Sequence, residues 1–217
     1  MTRIVFTILL FAISGRPAMC DGWSRLFNGT DLTGWKANNT SDSFSVVDGL
    51  LRVQATGRTA AHLFFTGDRK TGIEPIKNFE LKAVARSEPE SNGGIFFHTD
   101  MKVRNAKKHL ANGYEVQLNS SKTENRKTGS LYAVVDLATS PIDETQWFSI
   151  RILVNGDHVA VFINDEQVIN YTEPPNPKRP PNRAGRVLKK TGGAIALQAH
   201  DRNSVWYFKD IQMKRLP

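Results

Sequence analysis

The chain has 217 residues, a length that suits one domain of ordinary size or at most two small ones. Hydrophobic residues make up 40% of it and charged residues 23%, a balance that excludes a disordered chain. The net charge is +8, and the single cysteine excludes an intramolecular disulfide framework and a zinc site built from several cysteines.

The N-terminal segment has the pattern of a secretory signal peptide. Arg3 precedes an apolar run from Ile4 to Ile13, which at about ten residues is too short to span a bilayer. We therefore expect residues 1–20 to be removed and the mature domain to span residues 21–217. The protein would then be secreted or periplasmic, with no transmembrane segment. The alternative is a lipoprotein in which Cys20 carries the lipid.

The rest of the chain predicts short strands joined by turns. An Asp48-Gly49 pair between apolar residues is a hairpin signal. Other segments alternate apolar and polar residues with period two, which indicates half-buried strands. They include Phe79 to Arg86, Tyr114 to Asn119, Phe148 to Val154, Val159 to Ile163, Ala194 to His200 and Val205 to Met213. About a dozen such strands, without a long amphipathic helix or a repeat, predict a single all-β sandwich or jelly-roll domain.

One long segment interrupts this pattern. Glu173 to Lys190 contains five prolines and six Lys or Arg residues. A structureless loop of this length is often a lid or a binding loop, and the alternative is a solvated excursion at the surface.

Sequence motifs of several enzyme classes are absent. The chain has no Gly-x-Ser-x-Gly, no His-Glu-x-x-His and no phosphate-binding glycine loop. It also lacks the Glu-x-Asp-x-x-Glu pattern of laminarinase-type glucanases, so no two-carboxylate glycosidase mechanism is visible locally. Basic residues fall into separate patches at 102–108, 122–127 and 178–190. Together with the export signal, this spread does not predict a nucleic-acid partner.

Three predicted strands carry distinctive side chains on one face, because residues two apart in a strand point the same way. The three sets are Phe96 with His98, Glu115 with Gln117, and Ala196 with Gln198 and His200. If the opposite, apolar faces share one core, these three sets point outward from the same sheet, into a concave groove. Amides, a carboxylate, imidazoles and an exposed phenylalanine suit a carbohydrate, which offers hydroxyl edges and an apolar ring face.

Each of these residues also has a purely structural interpretation. Glu115 and Gln117 could be solvated side chains of a sheet surface, and Phe96 could fill a second, smaller core. The remaining histidines are isolated in the sequence and are expected at the surface: His62, His109 and His158.

A series of short blocks carries a family resemblance. The first runs from Trp23 to Trp35. The others are Val47 to Leu50, Asn92 to Phe97, Gly113 to Gln117, Thr128 to Tyr132, Ile195 to His200 and Phe208 to Ile211. In this order they resemble the 3-keto-disaccharide hydrolase domain family over about residues 22–216. That resemblance implies an exported bacterial protein with a concanavalin A-like jelly-roll fold. Where the family often has Arg after the Ile-Phe-Phe triplet, this sequence has His98.

The resemblance implies cleavage of 3-keto-glycosides. A ketone at C3 acidifies the hydrogen at C2, so a base can remove it, and the enolate then expels the group at C1. Water adds to the resulting enone and completes a net hydrolysis. Glu115 and His200 would supply the base and either an acid or a metal ligand, in an order that the sequence leaves open.

The other residues of the predicted site would bind substrate. Gln117, Gln198 and His98 would hold hydroxyls or the enolate oxygen, Tyr132 would protonate the leaving group, and Phe96 would contact the sugar ring. No cofactor is required by this scheme, although a carboxylate and imidazoles could hold a divalent metal that polarises the ketone. Two rival functions remain: a carbohydrate-binding module without catalysis, and a structural domain of the cell envelope.

Overall fold

A computed structural model describes residues 22–217, and the predicted signal peptide at residues 1–20 lies outside them. Thirteen strands are formed within the described residues: β1 (Trp23–Arg25), β2 (Trp35–Ala37), β3 (Phe44–Val47), β4 (Leu50–Val53), β5 (Ala61–Phe65), β6 (Phe79–Ser87), β7 (Asn92–Thr99), β8 (Tyr114–Asn119), β9 (Phe148–Asn155), β10 (His158–Ile163), β11 (Glu166–Thr172), β12 (Ala194–Ala199) and β13 (Trp206–Arg215). Two short 3-10 turns occur at Ser41–Ser43 and Pro181–Arg183. The described chain contains no α-helix, and so none that could cross a membrane.

The strands form two antiparallel sheets. The larger sheet has eight strands in the order β11-β10-β9-β6-β13-β4-β3, with β1 pairing β13, and the smaller has five in the order β2-β5-β12-β7-β8. The predicted hairpin joins β3 to β4, with Val47 paired to Leu50. Asp48 and Gly49 both have positive φ, at 50° and 76°, as a tight turn of this hand requires. The predicted all-β sandwich is therefore confirmed.

The main core lies between the two sheets. On the larger sheet burial alternates along the strands, as in β6 and β9, because one face meets the core and the other meets solvent. On the smaller sheet every residue of β7, β8 and β12 is buried. Both faces of the smaller sheet are therefore covered.

A second, smaller apolar cluster lies on the outer face of the five-stranded sheet. It consists of Phe64, Phe96, Leu110, Ala194 and Ala196, and it is separate from the main core. The neighbouring residues of these strands, such as Leu63, Ile95 and Leu197, point into the main core instead. Residues outside the strands, Leu110 among them, therefore form a partial third layer over this sheet.

The basic, proline-rich segment from Glu173 to Lys190 packs against this sheet. Arg179 donates to the hydroxyl of Tyr114 on β8 at 2.9 Å and to the hydroxyl of Tyr171 on β11 at 2.7 Å. Both carboxylate oxygens of Glu173 accept from the amide of Leu188 at 3.1 Å, which closes the base of the loop. Arg179 thus holds the middle of the loop to one strand of each sheet, and Glu173 holds the two ends of the loop to each other.

Candidate active site

A pocket opens on the outer face of the five-stranded sheet. Its cavity volume is about 30 Å³, and the space that includes its open mouth is about 310 Å³. Every lining residue except Phe96 has a polar group in its side chain; the lining comprises Asn92, Phe96, Arg104, His109, Glu115, Gln117, Glu124, Tyr132, Arg186, Gln198 and His200. Strands β7, β8 and β12 provide the floor, and the intervening loops provide the walls.

The pairing of these strands explains why their side chains meet. Gly94 on β7 pairs with Gln117 on one side and with Gln198 on the other, so the two amides flank a position without a side chain. A Cβ atom on Gly94 would lie 2.7 Å from Oε1 of Glu115. Gly94 therefore makes the room that the Glu115 side chain occupies.

Glu115 is buried beside Arg186. Nη2 of Arg186 donates to Oε2 of Glu115 at 2.8 Å, and Nη1 donates to the carbonyl of Gly113 at 3.1 Å. The side chains of the pair expose only 6% and 2% of their surface. Burial raises the pKa of the Glu115 carboxyl, an effect that the Arg186 charge opposes. Glu115 consequently holds a proton more readily than a solvated glutamate, as a proton donor requires.

His200 follows β12 directly and is oriented by the next residue. Its Nδ1 lies 2.8 Å from Oδ2 of Asp201, and this hydrogen bond lowers the pKa of Asp201 to about 2. An ionised Asp201 accepts the Nδ1 proton, which in the neutral imidazole selects the tautomer with its lone pair on Nε2. The His109 ring stacks on His200 at 5.5 Å between centres, and burial lowers the pKa of His109 to about 4. His200 thus has the arrangement of a general base supported by a carboxylate.

The two glutamine amides are positioned by buried partners. Nε2 of Gln198 lies 3.3 Å from Nε2 of His62, whose pKa burial lowers to about 3, so the neutral imidazole accepts from the amide. Nε2 of Gln117 donates to Oδ1 of Asn92 at 3.0 Å. Oε1 of Gln117 is buried and has no hydrogen-bond partner within residues 22–217. This oxygen is free to accept a hydroxyl of a bound molecule.

Tyr132 forms part of the pocket wall. Its hydroxyl donates to Oε2 of Glu124 at 3.1 Å, and burial raises the pKa of the phenol. Its ring faces the guanidinium groups of Arg126 at 4.7 Å and Arg183 at 5.5 Å. The aromatic face is therefore covered by cations in this structure.

Most of the predicted site residues meet in this one pocket. Those that line it are Phe96, Glu115, Gln117, Tyr132, Gln198 and His200. Phe96 was expected to be exposed and is instead fully buried in the second cluster, which is the structural alternative for this residue. Its ring lies 5.1 Å from the Arg186 guanidinium, so it serves as apolar floor beneath a charged group.

His98 is not part of the pocket, contrary to the sequence prediction. Its φ is +51°, and the β7–β12 register shifts here, since Phe96 pairs with Ala196 but Thr99 pairs with Ala194. This bulge ends the period-two alternation that placed His98 beside Phe96. The imidazole instead contacts the carbonyl of Lys77 at 2.7 Å and accepts from the amide of Lys189 at 3.1 Å. Both ring nitrogens are engaged in holding loops.

Sequence reasoning missed several residues of the site. His62 and His109 were expected at the surface, but His62 is fully buried and His109 lines the pocket. His158 does lie near the surface, where its Nε2 is 2.7 Å from Oδ1 of Asn170 in an exposed hydrogen bond. Arg104 and Arg186 come from irregular segments, where side-chain direction follows no period. The consecutive glycines Gly93 and Gly94 in a predicted strand were the one available signal, because they mark a close approach.

The donor set does not suit a bound metal ion. Over residues 22–217, no group of three or more His, Cys, Asp or Glu side chains is arranged to hold one. The two carboxylates of the pocket already face arginines, Glu115 at 2.8 Å from Arg186 and Glu124 at 3.4 Å from Arg126. Binding a metal through them would require breaking both contacts.

The chain matches the model of a known protein family. The model of a family described as a 3-keto-alpha-glucoside-1,2-lyase-like domain matches residues 22–214, nearly the whole described chain. A search of curated proteins gives no match.

Several solved structures share the fold. A Parabacteroides distasonis protein described as "a putative glycosyl hydrolase" is 23% identical with a TM-score of 0.69, over 90% of this chain and 94% of that one. A Bacillus subtilis protein with a galectin-like fold is 14% identical with a TM-score of 0.59, over 89% and 94%. The carbohydrate-binding module CBM66 of Bacillus subtilis is 13% identical with a TM-score of 0.54, over 83% and 95%. The predicted jelly-roll fold is confirmed.

Proposed function

The chain belongs to the 3-keto-alpha-glucoside-1,2-lyase-like domain family, as its sequence blocks predicted, and we propose that its pocket cleaves 3-keto-glycosides. The reaction would proceed by proton removal at C2, elimination at C1 and hydration, giving a net hydrolysis. The observation that supports this most is the meeting of Glu115 and His200 in one pocket, beside the amides of Gln117 and Gln198.

His200 is the base in this scheme. The Nδ1–H group of His200 donates to Oδ2 of Asp201 at 2.8 Å, so the lone pair of Nε2 takes the proton from C2. The electron pair of that C–H bond moves toward C3, and negative charge develops on the ketone oxygen. The amides of Gln117 and Gln198 and the buried charge of Arg186 stabilise this oxygen.

Glu115 is the acid. As the enolate reforms the ketone, the C1–O bond breaks, and the leaving oxygen takes the proton of the Glu115 carboxyl. Water then adds to C1 of the enone, one of its protons returning to Glu115, while His200 returns its proton to C2. Both groups end as they began. The proposed scheme thus assigns the base to His200 and the acid to Glu115, an order that the sequence left open.

The first experiment separates proton removal from bond cleavage. A 3-keto-glucoside and its unoxidised counterpart are incubated with the enzyme in D₂O, with and without chelator, and C2 deuteration and free aglycone are followed by NMR. The enzyme should release aglycone from the 3-keto compound alone, and chelator should have no effect. His200→Gln should lower both deuteration and release by ~100-fold or more. Glu115→Gln should lower release while deuteration continues.

His158→Gln is the matched control, because this histidine lies away from the pocket on an exposed contact with Asn170. It should leave both rates unchanged. Equal rates in wild type, His200→Gln and Glu115→Gln would refute the assignment. Sugar binding without turnover would instead identify a carbohydrate-binding module.

Export is also proposed, from the signal-peptide pattern of residues 1–20. Expression of the full chain in a bacterial host, followed by N-terminal sequencing of the processed product, should give a mature start at Asp21. A lipid-modified Cys20 at the new terminus would establish the lipoprotein alternative.

A further inference from the structure

Counted with its rim, the pocket has more arginines than carboxylates: Arg104 and Arg186 line it, Arg183 lies at the rim beside Tyr132, and the lining carboxylates are Glu115 and Glu124. Arg104 lines the pocket, and Arg183 and Arg186 face the ring of Tyr132 at 5.5 and 5.9 Å. Of the two carboxylates, Glu124 contacts Arg126 and Glu115 contacts Arg186.

Arg104 and Arg183 have no carboxylate partner within the described chain. No Asp or Glu oxygen lies within 4.0 Å of either guanidinium, in contrast to Arg126 and Arg186. The Nε atoms of both arginines are buried without a hydrogen-bond partner among residues 22–217. Other contacts are weak or local: Nη2 of Arg104 lies 3.4 Å from Nδ1 of His109, and Nη1 of Arg183 donates to the carbonyl of Asn182 at 3.0 Å.

Unpaired, partly buried cations that lie close together are costly. Burial and the neighbouring charges of Arg183 and Arg186 lower the pKa of Arg104. Partly buried cations that repel one another gain most from an anion that enters with a ligand, because that anion replaces lost water and relieves the repulsion. An enolate supplies negative charge only during the reaction, whereas these groups are unpaired in the resting site.

We propose that Arg104 and Arg183 form a subsite for an anionic group of the sugar, so that the substrates are acidic glycosides bearing a carboxylate or a sulfate ester. The planar guanidinium presents paired N–H donors that match the two oxygens of such a group. The neutral hydroxyls of the same sugar would meet Gln117, whose Oε1 has no partner in residues 22–217. This inference rests on the proposed function, since it names the substrate class of the same pocket.

The test measures binding, so that it does not depend on turnover. Methyl glucuronoside, methyl glucoside and methyl glucoside 6-sulfate are titrated into the full chain by calorimetry, at low and at high salt. We expect at least one of the two anionic sugars to bind about tenfold or more tighter than the neutral one, with the preference reduced by salt. The glucuronoside arm and the sulfate arm distinguish the two anions.

Arg104→Gln and Arg183→Gln should each remove most of this preference while leaving the weak binding of methyl glucoside in place. Arg58→Gln is the control, because Arg58 is exposed and lines no part of the pocket. Equal affinities for all three sugars, or a preference that survives both pocket substitutions, would overturn the acidic-substrate inference. Cleavage of neutral 3-keto-glycosides would then still stand. Conversely, an anion preference with no cleavage of any 3-keto-glycoside, neutral or acidic, would refute the proposed reaction and leave this subsite intact.

Discussion

Replacing Arg186 by methionine isolates the buried ion pair of the pocket. The variant keeps much of the length of the side chain but removes the charge that faces Glu115 at 2.8 Å. In the wild type, the Glu115 side chain is 6% exposed and the Arg186 side chain is 2% exposed. The ionised form of Glu115, which is in equilibrium with the protonated form that acts as the acid, then has no compensation for its buried charge, which costs up to about 3–5 kcal/mol. The hydrogen bond to the Gly113 carbonyl is lost as well. We expect Arg186→Met to lower the free energy of unfolding by this amount at pH 7.

The pH dependence of this loss has a definite sign. Without Arg186, burial should raise the pKa of Glu115 further above its unfolded value. The folded variant then binds more protons than the unfolded chain between those two pKa values, so its stability falls as pH rises through that window. Lowering the pH from 7 toward 4.5 should therefore recover part of the stability that Arg186→Met loses, relative to wild type at the same pH.

Urea unfolding of four proteins measures the effect: wild type, Arg186→Met, Glu115→Gln and the double variant. The double variant carries no unpaired charge, so we expect it to be more stable than the sum of the two single losses predicts, by about 1–3 kcal/mol. A loss below about 1 kcal/mol for Arg186→Met, or additive losses in the double variant, would show that the pair is solvated and would refute this reasoning.

Three further predictions concern the surroundings of the pair. Gly94→Ala places a Cβ atom 2.7 Å from Oε1 of Glu115. The rate of cleavage should therefore fall at least tenfold, while the temperature of thermal unfolding shifts by only a few degrees. An unchanged kcat would contradict the close approach. Asp201→Asn should lower kcat, because the aspartate fixes the tautomer of His200, and should also lower Tm, because its carboxylate accepts from Asn203 and Ser204. A pH–rate profile identical to wild type would argue against the role in orienting His200. His62 has a pKa of about 3 in the fold, so the unfolded chain binds more protons below pH 6.5 and stability should fall on acidification, by up to about 5 kcal/mol at pH 3. His62→Gln should flatten this dependence, and equal slopes in urea titrations at several pH values would count against it.

The regular strands explain how much of the site could be predicted. Glu115 and Gln117 lie on β8, and Gln198 lies on β12, where the alternation runs without interruption, so period two gives the face correctly. His98 fails because one residue with positive φ changes the direction of its side chain, and the sequence near it contains no turn signal. His62 lies on β5, and its face is buried only because a second layer covers the sheet, which a pattern of single strands does not reveal.

The loop residues could be predicted only as a group. The prolines and basic residues between Glu173 and Lys190 indicated a lid or binding loop, but nothing in that composition selects Arg186 over its neighbours. The structure selects it through contacts far apart in sequence, since Arg186 is 71 residues from Glu115 and 73 from Gly113. Long-range pairings of this kind require the fold, because a loop has no period from which side-chain direction follows.

The second apolar layer is what gives these charged groups their chemistry. On an exposed sheet face, Glu115 and Arg186 would be screened by water, and their interaction would contribute little. Phe96 and the small residue Ala196 cover the sheet beneath the pair, with the Phe96 ring 5.1 Å from the guanidinium. In these surroundings the same charges interact more strongly, and the cost of burying Glu115 raises its pKa against the opposing effect of Arg186. Phe96→Ser, which admits water and removes the ring beside the Arg186 guanidinium but leaves both charged side chains in place, should therefore bring the pKa of Glu115 back toward that of a solvated glutamate. A ¹³C NMR titration of the Glu115 carboxyl can measure this pKa, with Val47→Ser on the exposed end of β3 as the control. An unchanged titration midpoint in Phe96→Ser would show that the layer fills space but does not set the electrostatics of the site.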